Sequence, residues 1–411
     1  MALFEPDRHE TLIAAPWDEA CARDAIARIV AETHAAFSED RLWPIHPFDI
    51  SPERPPDCLK MLYNGAAGTI WALHRLDEKG FVPLTGDYLP AARSLAARHR
   101  ADIEKHAGLR DYLGQERNAY LFGETGLHLL EWKLAPSAML AEKLHAAIES
   151  KIGDVRGLVW GGAGAMLAAL FLHEQTGDAR WRELFARHGD ALWEQWLFDE
   201  SAGCHLWTSD LYGAVEKRLG ALHGLLANVA PLLRGQHLLA PERRTELQRR
   251  ISESLRTTAT FEEGFGNWPN AAQPRFRAAA PRLFVQYCNG APGVVVALGE
   301  FPKDSTAPID DLLLQAGELT WQAGPLAKLP SLCHGTPGNG FAFLRLHVRT
   351  GDAKWLDRAR RFAMHAIVQS DTARGRHGQC KFSLWTGDLG LALFLAACVQ
   401  GAAEFPLLDG F

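Results

Sequence analysis

Seven times along the chain, a glycine is followed three residues later by a second small residue and then by an apolar run. The copies are "LYNGAAGTIWAL", "YLFGETGLHLLEW", "LVWGGAGAMLAALFL", "ALHGLLANVAPLL", "QYCNGAPGVVVAL", "SLCHGTPGNGFAFLRL" and "SLWTGDLGLALFLAA". The pairs run from Gly65 and Gly68 to Gly387 and Gly390, and in the fourth copy Ala227 stands where the second glycine belongs. Self-similarity of this kind constrains a fold more than local propensity does, because each unit buries its apolar face only by stacking on the next. A glycine turn leading into an apolar segment reads as a tight loop opening a buried helix, where the missing Cβ lets backbones approach closely.

Between the copies lie amphipathic stretches with helical spacing: "DEACARDAIARIVAETHAAF", "LPAARSLAARHRADIEKHA", "APERRTELQRRISESLRTTA" and "DAKWLDRARRFAMHAIV". One buried inner helix and one amphipathic outer helix per unit predict an all-α fold, a seven-fold α/α toroid with a double ring of helices. Strand signals are scarce; "GVVVAL" is β-branched but continues a glycine turn like its siblings, so it is expected to be helical. The expected organisation is a single domain over 1–411, with an N-terminal helical segment at 1–50 and a loop at 261–287 lying over one mouth of the ring. Long loops of that kind are more often functional than idle.

Composition excludes some partners. A net charge of −6 with 22% charged residues gives no bias toward nucleic acid. No apolar run reaches about 18 residues, so no membrane span is expected. The amino terminus lacks the basic start and apolar run of a signal peptide. Seven scattered cysteines, an odd number, argue against a disulfide framework and for a reducing, cytoplasmic setting. A closed ring needs no partner to cover its edges, so a monomer is expected.

If the glycine turns line one end of the ring, the residues just before each first glycine converge near its axis. Cys288 and Cys333 each precede their glycine by two, and His334 and His223 sit immediately before theirs. Two thiols and an imidazole with one position open, Cys288, Cys333 and His334, match the three-ligand pattern of a catalytic zinc site. Thiolates favour zinc over magnesium or calcium, which prefer oxygen. Taken singly, each of these residues has an ordinary structural reading as a buried thiol or a helix-entrance histidine. Their placement at equivalent repeat positions favours the metal. Cys21, Cys58, Cys204, Cys380 and Cys398 lack this context and read as structural.

The pairing of "CNGAPG" with "LCHGTPGNG", preceded by "ALHG" and "GNWP" and followed by "FSLWTGDLG", resembles the lanthionine synthetase C-like family over nearly the whole chain. The stretch "CHGTPGNGFAFLRLHVRTGDAKWLDRARRFA" looks closer to its LanC-like, glutathione-binding branch than to dedicated lanthipeptide cyclases. The resemblance implies one zinc ion (Zn2+) per chain on Cys288, Cys333 and His334. It also implies addition of a thiol, from glutathione or a peptide cysteine, to dehydroalanine or dehydrobutyrine in a peptide or protein, giving a thioether. His223 matches the family histidine near the zinc and is the expected acid/base, with an ordinary pKa near neutrality suited to that task. Tyr287 and Asn289 flank Cys288 as candidate substrate contacts. Asn289 stands where the cyclases carry a residue able to act as an acid, which an amide cannot do. Arg282 is a candidate for holding the oxyanion, and Arg275 and Arg277 for holding carboxylates, against the alternative of a solvated basic loop. Asp154 lies near the third repeat but off the spacing of the cyclases' acidic residue.

Three alternatives stay open at this stage: a cyclase acting on a cognate precursor, a zinc- and glutathione-binding regulatory protein without turnover, and a toroid enzyme of another kind. The last ranks behind, because no aspartate occupies a first-glycine position and no carboxylate pair is placed for glycoside hydrolysis.

Overall fold

A computed structural model describes residues 3–50, 57–113, 117–272 and 283–411. Each glycine turn opens a helix of the inner ring: Ala66–Glu78, Glu124–Leu134, Gly162–Thr176, Leu225–Arg234, Ala291–Ala297, Thr336–Thr350 and Asp388–Gln400. The outer ring is formed by Glu19–Ala35, Leu89–Lys105, Ala138–Glu149, Ala179–Glu194, Pro241–Thr258, Asp310–Ala323 and Ala353–His377. The first outer helix packs on the last inner helix, so the two ends of the chain close the ring. The expected α/α toroid is what forms, and "GVVVAL" is helical.

The inner helices are buried on all sides. Every residue from Gly162 to Leu172 and from Asp388 to Cys398 is buried. A helix with no polar face cannot border water, and only a second ring outside it can supply the cover. The outer helices supply it with one stripe, as in Pro241–Thr258, where Leu247, Ile251 and Leu255 recur every fourth residue.

The glycine pattern has a specific cause. At Gly68, Gly126, Gly164, Gly293, Gly338 and Gly390, an added Cβ would overlap the carbonyl oxygen of the residue six places earlier. The segment before each turn therefore doubles back across the helix entrance, and its carbonyls accept the helix's first N–H groups. Ala66 N donates to Leu59 O at 2.8 Å, Glu124 N to Arg117 O at 2.7 Å, Leu225 N to Arg218 O at 2.9 Å and Asp388 N to Lys381 O at 2.9 Å. None of the inner helices has a side-chain cap at its glycine N-cap. Backbone carbonyls take up these donors instead, except in the fifth copy, where Ala291 N donates to the Asn267 side chain, Oδ1, at 2.8 Å. In the fourth copy the methyl of Ala227 is accommodated by Gly157 of the preceding repeat, whose own Cβ would lie 2.9 Å from it.

The residues before the first glycines also bond to one another around the ring. Trp385 N donates to Tyr63 O at 2.9 Å, and Tyr63 N to Leu121 O at 3.1 Å. Leu158 N donates to Leu222 O at 3.1 Å, Ala221 N to Cys288 O at 3.2 Å, Cys288 N to Cys333 O at 3.1 Å and Cys333 N to Trp385 O at 3.1 Å. Between the second and third turns, the rings of Phe122 and Trp160 stack with centroids 4.7 Å apart. The seven turns thus form one belt.

The structure adds two features to the reading from sequence. The N-terminal segment is helical over Glu19–Ala35; among the described residues ahead of Glu19 it holds a 3-10 turn, Pro6–Arg8, and an extended strap along the sixth repeat, with Glu10 N donating to Pro325 O at 2.9 Å. Among the described residues, six short strands also form three antiparallel hairpins: Leu197–Asp199 with Cys204–Leu206, Ser209–Leu211 with Ala214–Glu216, and Thr260–Glu262 with Phe265–Asn267. The third begins one residue ahead of the stretch read as loop and lies otherwise within it. Two of the turns put both central residues at positive φ: Tyr212 (58°) with Gly213 (73°), and Glu263 (50°) with Gly264 (83°). Such turns usually announce themselves by Asn-Gly or Asp-Gly, and here tyrosine and glutamate hide them.

Two predictions follow from this packing. Gly338→Ala forces its methyl against the Leu332 carbonyl and is expected to lower the unfolding free energy by about 1–3 kcal/mol in urea titration. Gly375→Ala lies in a helix with nothing within 4 Å and should raise it by about 0.5–1 kcal/mol. Burial holds His99 and His188 down at about 4. Between that value and the ordinary 6.5 the unfolded chain binds more protons than the folded one, so stability falls as pH drops through this window. A urea midpoint unchanged from pH 7 to pH 4.5 would contradict that.

Candidate metal centre

The belt brings together the fifth and sixth turns, and with them Cys288, Cys333 and His334. Their ligand atoms all lie within 4.8 Å of one another; both thiols are buried and the imidazole is half-buried. Among the described residues this is the one cluster of three or more His, Cys, Asp or Glu side chains with metal-ligand spacing. The Cys288 N–H bond to the Cys333 carbonyl fixes the two thiols relative to each other through backbone alone.

The two sulfurs share their charge unequally. The Cys288 thiol is held well below its ordinary value, first by a hydrogen bond from Cys333 and then by His334 and Gln286, with burial opposing. Cys333 is pushed up, first by burial and then by the negative charge on Cys288. Gln286 Nε2 donates to Cys288 Sγ at 3.1 Å, and Asn289 Nδ2 reaches the same sulfur at 3.7 Å. Arg8 of the N-terminal strap holds Gln286 in place, Nη2 to Oε1 at 3.1 Å. Lys328 places its charge near both thiols. Two buried sulfurs with an imidazole beside them form a donor set that a soft divalent cation completes.

A cavity of about 870 Å³ opens over this end of the ring. Tyr63, Asn64, Phe122, His334 and Thr386 line it from the turns, and Lys328 and Ser331 from the approach to the sixth turn. Glu10, Phe48, His365, Arg376 and Lys381 form other parts of its wall. The last outer helix runs on to His377, nine residues beyond the amphipathic stretch read from sequence, and this extension carries Arg376 to the cavity.

His223 and Asn289 are not among the groups lining that cavity. They stand on the adjoining arc of the belt, where Ala221 N bonds Cys288 O. The His223 imidazole differs from expectation: burial, reinforced by Arg218, lowers it to about 4, so it is neutral at pH 7 and starts as a base. The Arg156 carbonyl favours the protonated ring, yet Nδ1 makes no hydrogen bond of good geometry. Tyr287 is fully buried, stacked on Phe405 with centroids 4.5 Å apart, and supports Cys288 from within the core instead of facing the cavity. Arg275, Arg277 and Arg282 lie outside the described residues. Asp154 is taken up by ion pairs to Lys151 at 3.0 Å and Arg156 at 2.6 Å. Glu124 is likewise bound by Arg100 at 2.7 Å and Arg117 at 2.6 Å, which leaves it no role in glycoside chemistry.

Sequence reading missed Gln286, Lys328 and Arg8. Lys328 and Gln286 do carry a signal, since each is a lone polar residue in an apolar approach to a ligand turn, "LAKLPSLCHG" and "LFVQYCNG". Arg8 carries none, because only the folded strap brings it near.

Comparison with known proteins agrees with this geometry. A model of the family described as lanthionine synthetase C-like protein matches residues 59–408. Zebrafish (Danio rerio) glutathione S-transferase LANCL1 is 33% identical over 201 residues, 47% of this chain and 46% of that protein. LanC-like protein GCL1 of Arabidopsis thaliana is 34% identical over 105 residues, 24% of this chain and 22% of that protein. The chain therefore spans less than half the length of the curated relatives it matches. The solved structure of nisin cyclase superposes with a TM-score of 0.55 at 14% identity, covering 92% of this chain and 93% of that one, which speaks for the fold. With the family model spanning most of its length, this chain belongs to the lanthionine synthetase C-like family.

Proposed function

We propose that the protein is a zinc-dependent enzyme that adds a thiol, glutathione or a peptide cysteine, to dehydroalanine or dehydrobutyrine in a peptide or protein, giving a thioether. The observation that carries this reading is the cluster of Cys288, Cys333 and His334 with its ligand atoms within 4.8 Å, at an end of the ring that opens into a cavity. Glutathione S-transferase in the name of one relative supports thiol chemistry.

The fit between residues and metal rests on the donor set. Cys288, Cys333 and His334 would hold one zinc ion, leaving a place for a substrate sulfur. When bound, zinc supplies positive charge that keeps a thiol ionised at neutral pH.

The remaining steps fall to the chain. His223, neutral at pH 7, accepts the proton that the thiol gives up. Carbon–sulfur bond formation at the β-carbon moves the double-bond electrons onto the carbonyl oxygen, and Lys328, on the cavity wall, offers a cation for that enolate. A protonated His223 is a strong acid in this setting, and it returns its proton to the α-carbon. The Tyr63, Phe122 and Trp160 rings, stacked in sequence at 4.8 and 4.7 Å, give the arc beside the ligands an apolar surface.

The reading is tested by mass spectrometry of the purified protein incubated with a dehydroalanine peptide, with and without glutathione. A glutathione adduct supports it, and an intramolecular ring assigns the cyclase reaction; neither product from zinc-loaded protein contradicts both and leaves a binding role. Cys333→Ala should lose zinc, as measured by elemental analysis, and retention of one zinc per chain would refute the ligand set. His223→Ala should keep the metal and slow addition by about 10²–10⁴-fold.

A further inference from the structure

Residues 286–289 turn back on themselves just before the fifth glycine. Gln286 N donates to Asn289 O at 3.2 Å and Asn289 N to Gln286 O at 3.0 Å, so these two residues face each other across a tight turn with Tyr287 and Cys288 at its tip. Residues paired in this way send their side chains to the same face. Both carboxamides reach the Cys288 sulfur, Gln286 Nε2 donating to Sγ at 3.1 Å and Asn289 Nδ2 at 3.7 Å.

Which end of each amide faces the sulfur is fixed by what stands behind it. The Arg8 guanidinium carries only donors, so the Gln286 atom 3.1 Å from its Nη2 is the oxygen, and the nitrogen is left to the sulfur. Asn289 Oδ1 packs against Gly220, where an added Cβ would lie 2.5 Å from it. Arg8 is itself held by the strap. Its carbonyl accepts from Ala327 N at 2.9 Å, its guanidinium carbon lies 4.2 Å from the centre of the Phe284 ring, and Nη1 is 3.6 Å from the Glu5 carboxylate. A line thus runs from the Arg8 cation through the Gln286 amide dipole to the Cys288 sulfur, with Gln286 and Cys288 both buried.

Two thiolates cancel the charge of a divalent cation, so a third sulfur, from substrate, leaves a net negative charge among buried groups. Such a charge is costly unless dipoles or cations meet it. An N–H donated to a thiolate draws electron density from the sulfur, and groups placed behind a ligand in this manner tune what the site can bind. We propose that Gln286 and Asn289, the first set by Arg8, are positioning residues for thiol binding: their amide hydrogens take charge from Cys288 so that the site accepts a substrate thiolate as its third sulfur. This role rests on the thiol-addition reading above. It gives Asn289 a task that an amide performs where it cannot act as an acid, and it makes the N-terminal strap part of the site.

The test uses the full chain loaded with cobalt(II), whose thiolate-to-metal charge-transfer band in the near ultraviolet reports the charge on the ligand sulfurs. Gln286→Leu removes the amide, Arg8→Met removes the cation and keeps a stem over Phe284, and Arg8→Lys restores a donor to Gln286 Oε1. The band is expected to move to longer wavelength in Gln286→Leu, less far in Arg8→Met and Asn289→Leu, and back toward the wild type in Arg8→Lys. Half-saturation by glutathione, followed in the same spectrum, should rise by about 10–100-fold in Gln286→Leu. A band at the wild-type wavelength in both Gln286→Leu and Arg8→Met overturns the role, and an unmoved band in Asn289→Leu strikes that residue from it. If Gln286→Leu does not fold, Arg8→Met decides in the same way. If the wild type forms no adduct with a dehydroalanine peptide, the thiol-addition reading fails by itself, and the band still decides: a shift in the variants upholds the amide's action on Cys288 and an unmoved band overturns it. A cobalt-loaded wild type with no thiolate band overturns the ligand set and this role together.

Discussion

The structure depends on a contact between a carbonyl oxygen and a helix entrance that only glycine permits. Six of the seven inner helices carry a glycine in their first turn facing the carbonyl of the residue six places earlier. The same doubling back lets carbonyls from the preceding segment receive first-turn N–H groups, so these helices start with no cap from their own N-cap residue, and only at Ala291 does a side chain, that of Asn267, take the first donor. Because the crossing segment is held flat against the helix end, its own remaining backbone groups face sideways. They find partners in the neighbouring turns, and the ring closes through backbone bonds at six junctions and the Phe122–Trp160 stack at the seventh.

The candidate metal centre is a consequence of that belt. Cys288 and Cys333 are ligand candidates because they sit two residues before their glycines, where the backbone runs from turn to turn, and one hydrogen bond at 3.1 Å connects them directly. Side-chain rotamers make only the last adjustment. The electrostatics then favour a cation: buried thiols resist ionisation, yet Gln286, His334 and Lys328 stabilise negative charge at this point. The belt also sets which groups accompany the ligands. Its aromatic members run from Trp385 through Tyr63, Phe122 and Trp160 to Tyr212 and His223, each ring within 6.4 Å of the next.

Much of this was legible in the sequence for a physical reason. A glycine required by close backbone approach leaves a fixed mark, and seven such marks in order reveal both the ring and the positions that converge on its axis. What stayed hidden falls into two kinds. The Tyr212 and Glu263 hairpins were invisible because their left-handed positions hold residues that rarely adopt them. Arg8 and the extension of the last outer helix to His377 depend on where distant segments pack, which spacing along the chain does not record. The lowered pKa of His223 is of this second kind in its main cause, burial, which the packing of other segments sets. Tyr287 shows the limit of reading by adjacency: it neighbours a ligand, yet the buried ring points away from the cavity.

The central claim is that three side chains from two adjacent turns form one zinc site with a place left for a substrate sulfur. X-ray absorption at the zinc edge of the purified full chain tests it most directly, by counting ligands. The account predicts two sulfur scatterers at about 2.3 Å and one imidazole, with one further light ligand, and a third sulfur replacing that light ligand when glutathione is added. A zinc site with no sulfur, or one already saturated by protein ligands and unaltered by glutathione, would contradict it.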